Sequence, residues 1–550
     1  MTISRGDLSS SHTLQTRRNL ENLIEADRSA DSISQTMTKL HQRQFLLGPV
    51  ATEREGWAYI RLKGGWVLSH CGSLEVGTTT DLIGREWTLL GLAVQTQQGE
   101  PDPVAALQQG FDNIADITRT WTGRWLLIGE EEIHLDASGL LACFYRKIDS
   151  GSNAGAWVSS SVALLADIPG SPPPGTAQAE LSYAVGIDWF PPPRSRYPGI
   201  RRVLASQTLV LSNGDVRPKR RLTFQPLDSK LSTEALLKTV ENRLITGMRN
   251  LARVSVRPLW IALTAGIDSR TVLAAAHAAG VDAQAYTQEL PFYRWGQGLA
   301  DRNLPPRLAK EIGLNHTLIK AEPRSDDLIE LWDHHTAGQI VEADREFVAR
   351  GQWEAIPAGT TVIRAGVLEV VQNTDYPYLP PLSGERQQML AALVSYGSGF
   401  GRAPTEYQRA GLSEWLDSLT HEPETGVDWR TRFYHEQRVS GWLSSIEQGL
   451  DCTNRRSIQF ANCNALLEEL ITFDSEIRTA VDHQWLLIDR MAPELLRHPI
   501  NPEDNTVVKL AGKVVREFHR MADPGDEGGY LKNLAHRLRR ILHAPTLDKG

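Results

Sequence analysis

Cysteine is scarce in this chain: four residues in 550, at Cys71, Cys143, Cys452 and Cys463, with no CxxC spacing among them. Four cysteines cannot staple a chain of this length, so a disulfide framework is excluded and a reducing, cytoplasmic compartment is expected. Cys452 and Cys463 have no histidine at a useful spacing, which removes a zinc finger or ribbon. Long apolar runs are also missing. No stretch reaches the roughly 18 residues that a membrane-crossing helix requires, and the N-terminus MTISRGDLSSSHTLQTRRNL lacks the apolar centre of a secretory signal. Nor does one sign of charge dominate. The 58 basic and 66 acidic residues leave a net charge of −8, which supplies no basic field for a nucleic-acid partner. The short basic clusters Arg217–Arg221 and Arg537–Arg540 read as solvated faces.

What remains is an ordinary globular composition, 41% hydrophobic, with 15 tryptophans spread along the chain as core anchors. The length calls for at least two domains. Residues 1–45 form a polar, serine-rich leader with a helical pattern in Leu20–Leu40. Strand signals begin at Trp57–Leu68, where a Gly-Gly turn interrupts β-forming residues. They continue at Trp87–Val94, Trp125–Ile128, Glu132–Leu135, Leu140–Arg146 and Ala156–Ser159. Proline-rich stretches follow at Ser171–Thr176 and Trp189–Pro193. Arg202–Leu209 and Arg221–Phe224 read as a hairpin system around the Asn213-Gly214 turn. The pattern then changes. Thr233–Asn250 has helical periodicity, Pro258–Thr264 is a short apolar strand, and Ser269–Ala279 is an alanine-rich helix stopped by Gly280. Ala283–Thr287 is a second strand and Leu299–Gly313 a second helix. This alternation predicts a doubly wound parallel sheet. Beyond Gly384 the reading is mainly helical, with long segments at Glu385–Ser395, Ala465–Met491 and Asp504–His519. The fold class is therefore α/β: an N-terminal α+β layered sheet domain, then a parallel-sheet domain with a mainly helical C-terminal part.

The chemistry concentrates in Leu259–Arg270. An apolar strand ends at Thr264-Ala265-Gly266 and a helix begins near Asp268-Ser269. Backbone N–H groups at a helix start, with the hydroxyls of Thr264 and Ser269, can cradle a pyrophosphate. Gly266 lets the backbone approach closely. Asp268 offers a carboxylate for magnesium and is also suited to cap the helix. Arg270 faces either phosphate or solvent. The GxxxxGK[ST] spacing of a Walker loop is absent, and a capped strand–turn–helix corner packed with small residues is the plain alternative.

The string Leu263-Thr-Ala-Gly-Ile-Asp-Ser269 resembles the SGGxDS pyrophosphate loop of the asparagine synthetase family, within the N-type ATP pyrophosphatases. Thr264 stands for the first serine and Ala265 for the first glycine. Ala309–His316 resembles the family's A..LG..H segment. Ala365-Gly366-Val-Leu-Glu369 is similar to its Gly-x-Gly-x-Asp-Glu element, with Leu368 in place of the first acid. In the N-terminal half, Trp121–Ile128, Asp136–Gly139, Trp157–Ser161 and Trp189–Ile200 resemble segments of the family's glutaminase-like domain, an Ntn-hydrolase-type sandwich. The chain starts Met1-Thr2-Ile3 rather than with a processed cysteine, so no glutaminase activity is expected. The domains implied are a leader at 1–45, a degenerate glutaminase-like domain at 46–220 and a synthetase domain at 225–550.

The resemblance, nearest to the β-lactam synthetase and lasso-peptide cyclase subset, implies ATP and Mg²⁺ as cofactors and AMP-forming amide bond formation. A carboxylate is adenylated and an external or intramolecular amine then displaces AMP, in natural-product or modified-peptide assembly; a decayed scaffold or recognition protein is the non-enzymatic alternative. It places nucleotide around Leu263, Thr264, Ala265, Gly266, Asp268, Ser269 and Arg270, with Tyr286 of the next strand, and metal at Asp268 and Glu369. Glu369 and Tyr376 are the catalytic candidates for the amine step, with Asp375, Tyr378, Glu342 and Asp344 also available as bases. Lys509 and Lys513 stand nearest to the family's C-terminal lysine. Small-molecule or peptide carboxylates and amines are the expected partners, with no nucleic acid and no membrane, and a homodimer is compatible with the resemblance. His316, His334-His335 and His435 have no HExxH spacing, and adjacent His334 and His335 would diverge on a helix, so no transition-metal site is expected.

Overall fold

The computed structural model describes residues 41–109, 111, 113–169, 187, 189–221, 224–227, 231–255, 258–289, 297–320, 331–332, 334–337, 339, 351–352, 355–372, 386–398, 404–419, 427–453 and 455–502. Residues 1–40 of the leader with its expected helix, the Asn373–Pro381 loop, Tyr376, Lys509 and Lys513 lie outside these, as do Glu342, Asp344, Asp375, Tyr378, Arg537–Arg540 and the expected helix Asp504–His519, whereas residues 41–45 lead into the first strand. Among the described residues no helix is long and apolar enough to cross a membrane.

The N-terminal half is sheet-rich. Its strands are β1 (Phe45–Gly48), β2 (Trp57–Arg61), β3 (Val67–Cys71), β4 (Val76–Thr80), β5 (Glu86–Gln95), β6 (Trp121–Ile128), β7 (Glu132–Leu135), β8 (Phe144–Ile148), β9 (Gly155–Ser159), β10 (Arg201–Arg202), β11 (Gln207–Ser212) and β12 (Asp215–Arg220). Three short helices join them: α1 (Pro103–Gln108), α2 (Ile114–Thr118) and α3 (Val162–Ala166). The strands make two antiparallel six-stranded sheets, ordered β10-β8-β9-β1-β3-β2 and β12-β11-β7-β6-β5-β4. Period-2 alternation gives each sheet one apolar face. Phe45, Leu47, Leu68 and Val158 of the first meet Leu90, Leu126, Ile133 and Leu209 of the second in a shared core. The outer faces are covered too: α3 packs on Phe144 and Trp157, and α1 packs near Trp87, Trp121 and Trp125. Four layers result.

Local details follow from residue type. Asn213 and Gly214 both take positive φ, 45° and 79°, in the expected β11–β12 turn. Gly123, inside β6, has φ 120°, and a Cβ there would sit 2.2 Å from the Leu92 carbonyl oxygen. The basic cluster at Arg217–Arg221 lies mostly along edge strand β12, where exposed charge and Pro218 discourage pairing with another chain. The strand expected at Leu140–Arg146 starts only at Phe144. The Asp136 carboxylate accepts the N–H groups of Ser138, Leu140 and Leu141 and curls that segment into a turn.

The second half opens with α4 (Thr233–Val254), capped by Ser232. It continues with β13 (Leu259–Ala262), α5 (Ile267–Ala279), β14 (Ala283–Gln288), α6 (Gln297–Asn303), α7 (Pro305–Glu311), β15 (Asn315–Ile319), β16 (Thr361–Arg364) and β17 (Arg456–Gln459). All pairs in this five-stranded sheet are parallel and the order is β15-β14-β13-β16-β17. Leu259, Ile261, Ala285 and Ile363 face the large core with α4 and α5, while Trp260, Tyr286 and Val362 face a second cluster with Ile356. The single helix expected over Leu299–Gly313 is two, because Pro305-Pro306 cannot donate into a continuing turn. The long helix expected at Ala465–Met491 is three, Asn464–Ile471, Ser475–Thr479 and Asp482–Met491. Apolar periodicity runs across the breaks, but a new helix starts after Asp474 and Val481 takes a left-handed φ of 55°.

The halves meet along a polar seam. Arg124 of β6 grips Asp451 through both carboxylate oxygens, at 2.7 and 2.8 Å, with both residues buried. Arg43 and Arg456 share Glu75, Asn462 donates to Gly123 and Asp136, and Arg202 donates to Ser444. His435 holds the Ala137 carbonyl at 3.0 Å.

Candidate functional site

In an open parallel sheet the chain leaves neighbouring strands in opposite directions at one place, and the carboxyl ends there enclose a crevice. Here that place lies between β13 and β16. The loop after β13 is Leu263–Gly266 and the loop after β16 is Ala365–Val367, followed by a 3₁₀ turn at Leu368–Val371. The two segments singled out in the sequence thus flank the same crevice.

The first loop is tightly tied. The Thr264 N–H donates to Ser269 Oγ at 3.1 Å, the two hydroxyls lie 3.0 Å apart, and the Gly266 N–H donates to Thr264 Oγ1 at 3.1 Å. The Ala265 N–H donates to Asp301 of α6 at 2.7 Å, and burial raises that carboxyl above the usual range. Gly266 is the N-cap of α5, and the helix starts with no side-chain cap. Asp268 sits in its first turn instead of capping it. Its Oδ1 accepts the side-chain amides of Gln372, at 2.6 Å, and Gln484, at 2.9 Å. The carboxylate therefore spans the crevice from α5 to the end of the β16 loop and to the helix Asp482–Met491.

Arg270 faces neither phosphate nor solvent. It is fully buried and donates to the carbonyls of Ala265, Leu495, His498 and Pro499. Burial lowers its pKa to about 10. Its role is to hold the loop's underside against the 495–499 segment. Tyr286 is buried with Ile319, Ile356 and Val362, and its hydroxyl pKa is pushed up by that burial. It forms a floor beneath the strand ends, with its carbonyl accepting the Leu263 N–H.

Across the crevice, Glu369 is half-buried and accepts the Tyr434 hydroxyl. Tyr434 begins a π-wound stretch, Tyr434–Leu443, inside a longer helical run. Behind it, Arg364 meets Glu447 at 3.0 Å, Gln459 donates to Glu447 at 2.8 Å, and Gln459 accepts the Gly366 N–H at 2.7 Å. These bonds fix the second loop as firmly as Arg270 fixes the first. Sequence reading missed Asp301, Gln372, Tyr434 and Gln484. None stands in a motif, and a buried amide or acid on a helix has no signature beyond its own letter.

Of the histidines, His316 Nε2 lies 2.9 Å from Thr287 Oγ1, with its pKa lowered to about 4 by burial. The four cysteines are free and buried, and burial pushes Cys143 up to about 12.

No family model matches the chain, and no curated protein matches it. Among solved structures it is similar to the glutamine-dependent NAD⁺ synthetase from Acinetobacter baumannii in complex with ADP, at 14% identity and TM-score 0.19. That match covers 64% of this chain and 60% of the synthetase chain. It is also similar to the allosteric regulatory enzyme of purine biosynthesis, at 12% identity and TM-score 0.20, with 67% of this chain and 75% of the other covered. Likenesses this slight leave the function to be read from the residues of the crevice.

Proposed function

We propose that the chain is an ATP-dependent, AMP-forming amide synthetase, with residues 225–550 as the synthetase part and 46–220 as a glutaminase-like frame. The observation that carries this reading is the crevice at the strand-order reversal. It brings an uncapped helix start, the Thr264–Ser269 hydroxyl pair and two carboxylates, Asp268 and Glu369, onto loops that face each other. The likeness of Leu263–Ser269 to a pyrophosphate loop supports the same assignment.

The residues fit a diphosphate in one respect and restrict it in another. The uncapped first turn of α5 leaves helix N–H groups to be satisfied, and the helix dipole favours an anion there. The Ala265 N–H, however, is turned to Asp301, so it does not serve as a donor. Thr264 is exposed and Ser269 is its hydroxyl neighbour; both would rotate toward a bound phosphate. Mg²⁺, held by Asp268 and Glu369, would offset charge on the departing diphosphate.

In the first step a substrate carboxylate oxygen attacks the α-phosphorus of ATP, and diphosphate leaves. In the second an amine nitrogen attacks the acyl carbon, gives up a proton, and AMP leaves. Glu369, whose carboxylate accepts the Tyr434 hydroxyl, is proposed to take that proton. Tyr376, Lys509 and Lys513 are proposed to complete the site. With Cys143, Cys452, Cys463 and Cys71 all buried, no cysteine is assigned a nucleophilic role, and the amine comes from a second substrate or from the same one.

The test is diphosphate and AMP release from Mg·ATP across amino acids, peptides and carboxylic acids, read by mass spectrometry. Equimolar AMP and diphosphate with one carboxylate is expected. Asp268→Ala should lower the rate by roughly a hundredfold or more, as loss of one transition-state contact does. An unchanged rate in that variant would overturn the assignment of Asp268.

A further inference from the structure

Away from the crevice, three segments far apart in sequence converge. His41 precedes β1, Asp167 ends α3, and His334 lies in the short helical stretch at residues 334–336. One ligand atom from each lies within 4.8 Å of the others. We propose that His41, Asp167 and His334 bind a divalent transition-metal ion of the zinc class, clipping the 331–337 segment to the N-terminal sandwich.

The strongest support is His41 itself. It is 1% exposed, yet among the described residues neither ring nitrogen has a hydrogen-bond partner. Leaving such a buried group unsatisfied is costly, so buried imidazoles almost always have a partner. A metal ion bound by one nitrogen's lone pair would supply a partner for that nitrogen. The surroundings leave few other partners: His334 faces the ring at 5.9 Å between centroids and His335 stacks at 6.0 Å. His335 is not a ligand. Its Nδ1 accepts the His41 N–H at 3.2 Å and its Nε2 lies 3.4 Å from the Gln44 amide, so it secures the His41 backbone, which takes a left-handed φ of 62°. His334 and His335 were expected to diverge and to offer no transition-metal site, yet both rings lie about 6 Å from that of His41, and His334 also meets Asp167.

Two imidazoles and a carboxylate suit zinc and its neighbours rather than magnesium, which takes oxygen ligands. Tetrahedral zinc brings ligand atoms to about 3.3 Å apart, a contraction within reach of side-chain rotation for the exposed His334 and Asp167. Those two also give the ion an entry path and leave a fourth position to water. Arg54 lies 3.5 Å from Asp167 Oδ2. A carboxylate has two oxygens, so one can keep Arg54 while the other meets the ion, the arrangement that orients many metal-bound carboxylates. Asp167 also sits at the C-terminal end of α3, where a negative charge meets the negative end of the helix dipole and a cation is favoured. Ala337 already packs beside Leu46 and Trp157, so the ion would reinforce an existing contact.

The experiment uses the untagged full-length chain, stripped of metal and titrated with Zn²⁺ against a chromogenic chelator. One equivalent should bind with sub-micromolar affinity and raise the melting temperature, and excess Mg²⁺ should not compete. His334→Ala and Asp167→Asn alter exposed side chains and should fold normally, each weakening zinc binding at least tenfold. Zinc uptake absent from the wild type, or wild-type affinity retained in both variants, would overturn the proposal.

Discussion

The interior of the sandwich and the seam beside it are built from different materials. Between the two antiparallel sheets the buried residues are apolar side chains from Phe45 to Leu211. Along the seam buried charged and polar groups pair across the two halves: Arg124 with Asp451, Arg202 with Ser444, and Asn462 with Asp136. Apolar contact is non-directional and tolerates small shifts. A bidentate guanidinium–carboxylate pair fixes distance and angle together. The sandwich is thus held as a stiff frame by area, while pairing sets how the parallel sheet docks on it. That docking matters for the crevice, because Glu447 and Gln459 reach from the seam to the Gly366 loop.

The sharpest way to break this contrast is Arg124→Met. It leaves the Asp451 carboxyl buried without its guanidinium partner, and should cost about 3–5 kcal/mol, read as a large drop in the denaturation midpoint. A loss under about 1 kcal/mol would mean the seam is not set by pairing. Arg270→Met comes next. It strands the carbonyls of Leu495, His498 and Pro499 beneath the Leu263–Gly266 loop, while Ala265 keeps the Asn501 N–H; at on the order of 1 kcal/mol each a loss of about 3 kcal/mol is expected, with ATP binding weakened in parallel if the proposed function holds. Stability loss with ATP affinity unchanged would show that the loop keeps its shape without the clamp.

A third test is acid sensitivity. Burial lowers His435 and His483 to about 4. Below about pH 6.5 the unfolded chain binds protons that the native state refuses. Stability is therefore full above that pH and declines as pH falls toward 4, by about 1.4 kcal/mol per pH unit for each such group. His435→Gln should flatten the midpoint-against-pH slope by one group's share. An unaltered slope would place the acid response elsewhere, for instance at His134 in the sandwich, which is also lowered to about 4.

Much of the architecture was legible because its signals are local. The Gly-Gly and Asn213-Gly214 turns, the apolar β13 and the glycine stops at Gly280 and Gly313 each announce themselves within a few residues. The errors arose where periodicity outlived the helix, at Pro305 and at Asp474. At the candidate site, Leu263–Ser269 was readable as a strand–loop–helix corner, and its pairing with the Ala365–Glu369 segment follows from the strand order. Arg270 was expected to face phosphate or solvent, because a lone arginine after such a loop suggests one or the other, whereas three of its four carbonyl partners lie more than 200 residues away. Asp301, Gln372, Gln484 and the His41–His334 meeting depend on long-range packing, which no short window of sequence contains.

The seam also imposes an order in time. Ribosomal synthesis delivers the chain from its N-terminus, so Arg124, Asp136 and Arg202 emerge several hundred residues before Asp451, Asn462 and Ser444. During that interval these groups lie on an open flank and are satisfied by water. The nascent sandwich consequently shows a mixed flank, its charged groups wetted by solvent while the apolar Val94, Leu140 and Leu204 wait for the second half to cover them.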